Sequence, residues 1–348
     1  MSRLLAVLGA VLIGVLAPGA PGVASACACG GIVSPDVDAR VADEMALISS
    51  DGTTETIVMR LNLQSDADDA ALVIPTPTPA EVSASGSGLF AELAQLTAPR
   101  VETRRHWTFA PGFSSSAPEG AVGAGVPMVV DQVQLGPLEA TTLTGGDLRG
   151  VQDWLDGHGY RLRPEIAAGL KPYLTEGWSV VALRLTSDRP LDGPLDPVRL
   201  TFTSERLVYP MRMSVQATAP QRVVIYTLGQ HRVQRTDPDA GTAGQHVEIG
   251  YAGTLSGRAT DQTLVELASG GDYLTQISTS VTDPSAIAAD FAFGPAATDE
   301  PYQRVVFRDE DIDVGVPVMF GVALMFVLGL IITAVVLVIW LVRRTRRT

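Results

Sequence analysis

Lysine and asparagine are almost missing from this chain of 348 residues: Lys171 is the only lysine and Asn62 the only asparagine. Arginine stands where lysine usually would, a bias expected of a GC-rich bacterial genome and not a functional signal. Lys171 precedes Pro172 and belongs to no phosphate-binding loop. A G-x-S-x-G nucleophile elbow and an H-E-x-x-H zinc motif are also missing. His106, His158, His231 and His246 are scattered, and neither His106 nor His158 has a nearby Ser, Cys or Asp in a triad arrangement. Gly120, Gly123 and Gly125 fall in the wrong order for a dinucleotide fingerprint. No repeat of fixed period occurs. The chain therefore offers no catalytic residue and no cofactor motif.

Acid is confined to the middle. All 38 acidic residues lie between Asp36 and Asp313, while Arg3, Arg343, Arg344, Arg346 and Arg347 lie outside that span. The remaining 20 basic residues leave the middle at −18, against −13 for the whole chain. Such a surface repels nucleic-acid phosphates and excludes nucleic acid as a partner. It suits a solvated domain outside the cytoplasm.

The two ends are apolar in different ways. Arg3, then Leu4 to Leu16, then a Pro/Gly/Ala-rich stretch closing on Ala24-Ser25-Ala26 has the order of a secretory signal peptide over 1–26. Val314 to Val342 contains no charge, and at about 1.5 Å per residue it exceeds the roughly 30 Å hydrocarbon core of a bilayer. Residues 313–342 are therefore read as a transmembrane helix, with membrane lipid as its partner. Trp340 falls at interface depth, and Arg343, Arg344, Arg346 and Arg347 form a basic tail over 343–348. The positive-inside rule places that tail in the cytoplasm and residues 27–312 outside. The acidic run Asp309-Glu310-Asp311-Ile312-Asp313 lacks the glycine and spaced oxygens of a calcium loop and reads as a solvated spacer.

Between the ends the pattern is that of an α+β domain, mostly antiparallel β with a few short helices. Val41 to Ser49 and Thr53 to Leu63 read as strands joined at Ser50-Asp51-Gly52. Ala70 to Ile74 reads as a buried strand running into Pro75-Thr76-Pro77-Thr78-Pro79, which is expected to be extended and unpaired in a sheet centre. Leu89 to Leu96, Asp147 to Asp156 and a segment opened by Pro164 read as helices. Trp178 to Leu185, Val198 to Thr203, Met211 to Thr218 and Arg222 to Leu228 read as strands. His246 to Ala252 and Leu274 to Val281 add two more, with a helical turn over Gln262 to Ala268. The Gly/Ala/Ser/Pro-rich stretch over 110–126 is a candidate sub-domain boundary.

Cys27-Ala28-Cys29-Gly30-Gly31 concentrates what chemistry there is. Three readings of Cys27 and Cys29 stand open. They form a strained C-x-C disulfide or inert thiols, they hold a soft metal as weak candidate ligands, or Cys27 carries a lipid. Metal binding needs further ligands. Lipidation lacks the usual leucine three residues before the cysteine. Trp107, Trp154 and Trp178 are expected in the core rather than as ligand stackers.

Four landmarks in order resemble one family. They are Ala26-Cys27-Ala28-Cys29-Gly30-Gly31; Leu72-Val73-Ile74-Pro75-Thr76-Pro77 with Leu89-Phe90 and Thr97-Ala98-Pro99-Arg100; Trp154-Leu155, Gly159-Tyr160, Tyr173 and Gly177 to Ala182; and Pro197 to Phe202 with Tyr209 to Ser214. Together they resemble the bacterial domain of unknown function 2330 over roughly residues 26 to 290. The resemblance implies an exported protein, often membrane-tethered, and carries over no catalytic residue. The expected role is binding or structure at the cell envelope, with an envelope protein or ligand as partner. The alternative is a metal, redox or hydrolytic protein using Cys27 and Cys29.

Overall fold

The computed structural model describes residues 30–35, 39–108, 139–144, 147–313 and 315–346. The leader, Cys27, Cys29, the 110–126 stretch and Arg347 lie outside the described residues. In chain order the strands are β1 (Gly31–Val33), β2 (Arg40–Ser50), β3 (Thr54–Gln64), β4 (Asp69–Thr76), β5 (Glu81–Ala84), β6 (Arg100–Thr108), β7 (Glu139–Leu143), β8 (Ser179–Thr186) and β9 (Gly193–Pro194). There follow β10 (Val198–Thr203), β11 (Leu207–Tyr209), β12 (Gln221–Gly229), β13 (Val233–Arg235), β14 (Gln245–Thr254), β15 (Tyr273–Val281), β16 (Phe291–Pro295), β17 (Tyr302–Gln303) and β18 (Val305–Asp313). The helices are α1 (Leu89–Leu96), α2 (Leu148–Gly157), α3 (Pro164–Thr175), α4 (Gln262–Leu267) and α5 (Gly315–Thr345).

The larger sheet has nine strands, in the order β17-β14-β15-β12-β2-β3-β10-β5 with β9 paired to β3. Its pairings are antiparallel except β12 with β2. One of its faces packs against an antiparallel four-stranded sheet, β1-β4-β8-β7, and a three-stranded sheet, β11-β16-β13. The core between them holds Ile57, Met59, Leu61, Leu63, Leu72, Ile74, Val181, Leu183, Ile225 and Ile277, all buried. On the far face of the large sheet, α1 and α4 cover Leu47, Val58, Val224 and Tyr226. On the far face of the four-stranded sheet, α2 and α3 cover Val33, Ala71, Val73 and Val180. Both faces of β4 and β8 are thus covered, which is why they read as continuous apolar runs while β15 alternates. The α+β, mostly antiparallel expectation holds.

Local chemistry explains the elements that the sequence announced. In the β2–β3 turn, Asp51 Oδ1 accepts from Thr53 N at 2.9 Å and Thr54 N at 2.8 Å, and these bonds hold its pKa down. Gly52 supplies the positive φ of +98° that the turn needs. Asp147 caps α2 by accepting from Arg149 N at 3.0 Å.

Two expectations about strands in the body need correction. Met211 to Thr218 is not a strand: Met211–Gln216 is a 3-10 helix after Pro210. On a strand Met211 and Met213 would share a face. Here Met211 enters the core between the sheets and Met213 the cluster beneath α3. Nor does the proline run end β4, which carries Pro75 opposite Val180 and Thr76 opposite Ser179. Among the described residues β1 reaches only as far as Val73, so β4 has a partner on one side there and tolerates proline.

The glycines after the cysteine pair have a steric reason. A Cβ on Gly30 would lie 2.5 Å from the Val73 carbonyl oxygen, and one on Gly31 would lie 2.6 Å from Ile166 of α3. Backbone cannot yield as a side chain can. Gly30→Ala is expected to destabilise the domain by about 1–3 kcal/mol, read as a lowered urea midpoint with unchanged slope.

Beyond the body, β6 and β18 form a two-stranded parallel ribbon, pairing Arg100 with Val305 through Thr108 with Asp313. The acidic run read as a solvated spacer is therefore a paired strand. Its partners explain the pairing: Arg105 meets Glu310 at 3.2 Å and His106 meets Asp309 at 3.0 Å. The ribbon leads into α5, where an 18-residue window within Val318–Thr345 has a mean hydropathy of 3.2 and no buried share. That helix is long and apolar enough to cross a membrane.

Candidate functional site

A cleft of about 830 Å³ opens where the three-stranded sheet meets the end of α3. The β2–β3 turn brings Ser50 and Gly52 to it, residues 205–208 form one wall, and residues 288–290 and 292–295 form another. Glu176 and Trp178 follow α3, and Arg212 comes from the 3-10 helix.

Arg212 organises this end of the molecule. Its guanidinium donates to both oxygens of Glu176 at 2.5 and 2.7 Å, and its Nε donates to Asp290 Oδ2 at 2.8 Å. It lies over the Tyr173 ring at 4.3 Å and 6.0 Å from the centre of Trp178. Asp290, with a side chain 9 % exposed, also accepts from Arg212 N at 2.9 Å and from the Tyr173 hydroxyl. Burial raises the pKa of Asp290 against the pull of these donors. The bonds from Arg212 hold Glu176 below its ordinary value, and the bonds to Glu176 in turn raise Arg212. Burial and then the charge of Asp290 raise Tyr173.

The loop that carries Asp290 is fixed from below. Asp239 Oδ2 accepts from Ala288 N and Ala289 N, each at 2.9 Å, and Asp237 Oδ2 accepts from Ala292 N at 3.2 Å. Asp237 is itself paired with buried Arg235, which lies 3.5 Å from the centre of the Phe291 ring. The acids at the floor of the cleft are thus engaged in holding the frame. At the rim, Glu205 and Arg206 are exposed, and Trp178 presents a half-buried ring.

Two further acids lie in the core behind this wall. Glu44 of β2 accepts from the Tyr209 hydroxyl, and Glu55 Oε1 accepts from Val208 N at 3.0 Å. Both glutamates are buried, and both tie the large sheet to β11. Glu55 Oε2 makes no hydrogen bond among the described residues. Burial drives the Glu55 pKa up to about 8, opposed by the Val208 N–H and then by the Ser204 hydroxyl.

Of the tryptophans, histidines, cysteines and terminal arginines singled out in the sequence, only Trp178 and His231 line this cleft among the described residues, beside Ser50 and Gly52 of the expected turn and Arg212 of the last landmark. Cys27 and Cys29, as disulfide or metal candidates, lie outside the described residues. Trp340, Arg343 and Arg344 lie on α5, with Arg344 stacked 5.2 Å from the Trp340 ring centre, and Arg346 follows the helix. The histidines stay apart. His106 is on the ribbon, while His158 bonds the Trp154 carbonyl and Glu139 at 2.7 and 2.9 Å. His231 pairs with Asp299 at 2.7 Å, and His246 is exposed on β14. Among the described residues no three His, Cys, Asp or Glu side chains group as metal ligands. Trp107 is 67 % exposed, and Trp154 and Trp178 are half-buried, so the core expectation fails for Trp107.

Residues 23–294 match the model of a family described as an uncharacterized protein conserved in bacteria, DUF2330. The chain belongs to this family. The DUF2330 match takes in the cleft as far as Gly294 and stops short of β18 and α5. No protein with a curated description matches the chain. Among solved structures the chain is similar to baculovirus P35 at 11 % identity, over 76 % of this chain and 99 % of that one, with a TM-score of 0.36. A mutated baculovirus P35 after caspase cleavage aligns at 9 % identity, over 73 % of this chain and 100 % of that one, with a TM-score of 0.33. Likenesses at that level carry no argument about fold or function.

Proposed function

We propose that this DUF2330 protein is a single-pass protein of the bacterial plasma membrane whose body stands outside the cytoplasm. Its role is to bind an envelope ligand or protein in the cleft beside Trp178, without catalysis. The cleft carries this reading. Its floor is a closed network of Arg212, Glu176, Asp290 and Tyr173, in which each polar group already answers another. That arrangement makes a rigid wall, not a poised acid or base. Trp178 at the wall and exposed Glu205 and Arg206 at the rim supply an apolar face and polar contacts for a ligand. The order of a secretory leader at the start of the chain and the arginines at the C-terminal end of α5 support the orientation.

Thermal shift against fractionated envelope extract tests the binding role. A fraction that raises the melting temperature of the wild type is expected to have at least a tenfold weaker effect on Trp178→Ala. Turnover of a component by the purified protein, abolished by one side-chain change, would sink the non-catalytic reading. Protease applied to intact spheroplasts is expected to remove the body and spare the arginine tail. Protection of the body would reverse the orientation.

A further inference from the structure

The ribbon brings a residue from the middle of the chain to the start of the apolar helix. In the parallel register Trp107 pairs with Ile312, three residues before α5 begins at Gly315. The root of the ribbon is tied to the body: Arg100 N donates to Arg304 O at 2.8 Å, Gln303 Nε2 donates to Ala98 O at 2.7 Å, and β17 pairs with β14 at the sheet edge. At about 3.3 Å per residue the paired strands reach roughly 25–30 Å from root to tip. An isolated two-stranded ribbon is marginal in water, so its tip gains from a second support.

The tip has the chemistry for one. Trp107 is 67 % exposed, the most exposed large apolar side chain outside α5 among the described residues. Phe307, the other exposed ring of the pair, is covered by Arg104 at 3.3 Å, whereas the Trp107 ring has no such partner among the described residues. The strands carry Arg100, Arg104, Arg105 and Arg308 against Glu102, Asp309, Glu310, Asp311 and Asp313, so charge is nearly balanced here although the body is acidic. With Trp340 at one edge of the hydrocarbon, about 20 helical residues, or 30 Å, bring the chain to Phe320 at the other edge. Gly315 then lies roughly 7 Å above that edge, within the headgroup layer.

We infer that Trp107 seats in the outer headgroup layer of the bilayer beside the entry of α5, so that β6–β18 is a stalk held to the membrane at two points. The inference rests on the reading that α5 spans the bilayer. Tryptophan suits this depth because its ring prefers an apolar contact and its indole N–H a wet one.

The test uses full-length protein in phosphatidylcholine vesicles, with bromines placed shallow or deep on the acyl chains. In a variant that keeps only Trp107 (Trp154→Phe, Trp178→Phe, Trp340→Phe), blue-shifted emission is expected, with quenching by shallow bromines at least twice that by deep ones. Emission at the fully aqueous position without quenching overturns the inference. A variant keeping only Trp340 reads insertion of α5 separately. If Trp340 is quenched and Trp107 is not, the stalk contact alone fails; if neither is quenched, the spanning reading fails with it. Should either variant lose the circular dichroism of the parent, Trp107→Tyr and Trp340→Tyr in the otherwise unaltered chain give the same two readouts as loss of quenching amplitude. No loss for Trp107→Tyr overturns the contact.

Discussion

Glu55→Gln is expected to stabilise the folded body at neutral pH by about 2–4 kcal/mol, the reverse of what most core substitutions do. Glu55 is fully buried on the inner face of β3, and its pKa stands near 8 against an ordinary 4.5. The unfolded chain releases this proton near 4.5, while the folded chain keeps it to about 8. Between those values the native state binds more protons than the unfolded state, so stability falls as pH rises, by about 1.4 kcal/mol per pH unit. The loss begins near pH 4.5, reaches roughly 3 kcal/mol at pH 7 and levels off above pH 8. Glutamine keeps an acceptor for Val208 N and has no proton to lose, so the variant should lack this slope. Urea unfolding of the parent and the variant at pH 5 and pH 8 checks it. The two proteins should nearly coincide at pH 5 and separate at pH 8, and parallel curves at both values would refute the buried acid.

Glu55 was legible in the sequence as an anomaly rather than as a site. Along β3 the residues Ile57, Met59, Leu61 and Leu63 share one face and enter the core, and Glu55 sits in phase with them. A charged residue on an inward phase is the signal, and Arg60, in phase with Val58 beneath Phe90, repeats it on the other face. The strands with long apolar runs or clear alternation, and helices α1 to α3, were readable because their partners in burial lie close in sequence pattern. What was not readable was carried by contacts across long separations. Arg212 meets Glu176 and Asp290 across 36 and 78 residues, and β6 meets β18 across 205 in the Arg105–Glu310 pair. The short strands β11, β13 and β16 have three to five residues each, too few for a period to show. The cleft is built from those pieces, so sequence pattern alone had no way to assemble it.

The same wall supplies the largest expected loss. Arg235 and Asp237 have side chains only 1 % and 2 % exposed, joined at 3.0 Å between Nε and Oδ2 and at 2.6 Å between Nη2 and Oδ1. Arg235 Nη1 reaches Gln245 at 2.8 Å on neighbouring β14. Arg235→Met leaves Asp237 charged, buried and without its partner, and is expected to cost about 3–5 kcal/mol. Removing both charges in Arg235→Met/Asp237→Leu should recover more than half of that loss, because the cost lies in the orphaned charge and not in the missing attraction. Recovery should stay incomplete, since Ala292 N then loses its acceptor and Phe291 its cation. That loop carries Asp290 toward Arg212, so the single variant should also loosen the cleft, seen as faster amide exchange over residues 288–292. A double variant as unstable as the single one would place the energy in the attraction between the charges. A single variant costing under about 1 kcal/mol would mean that the pair is hydrated as a surface pair is.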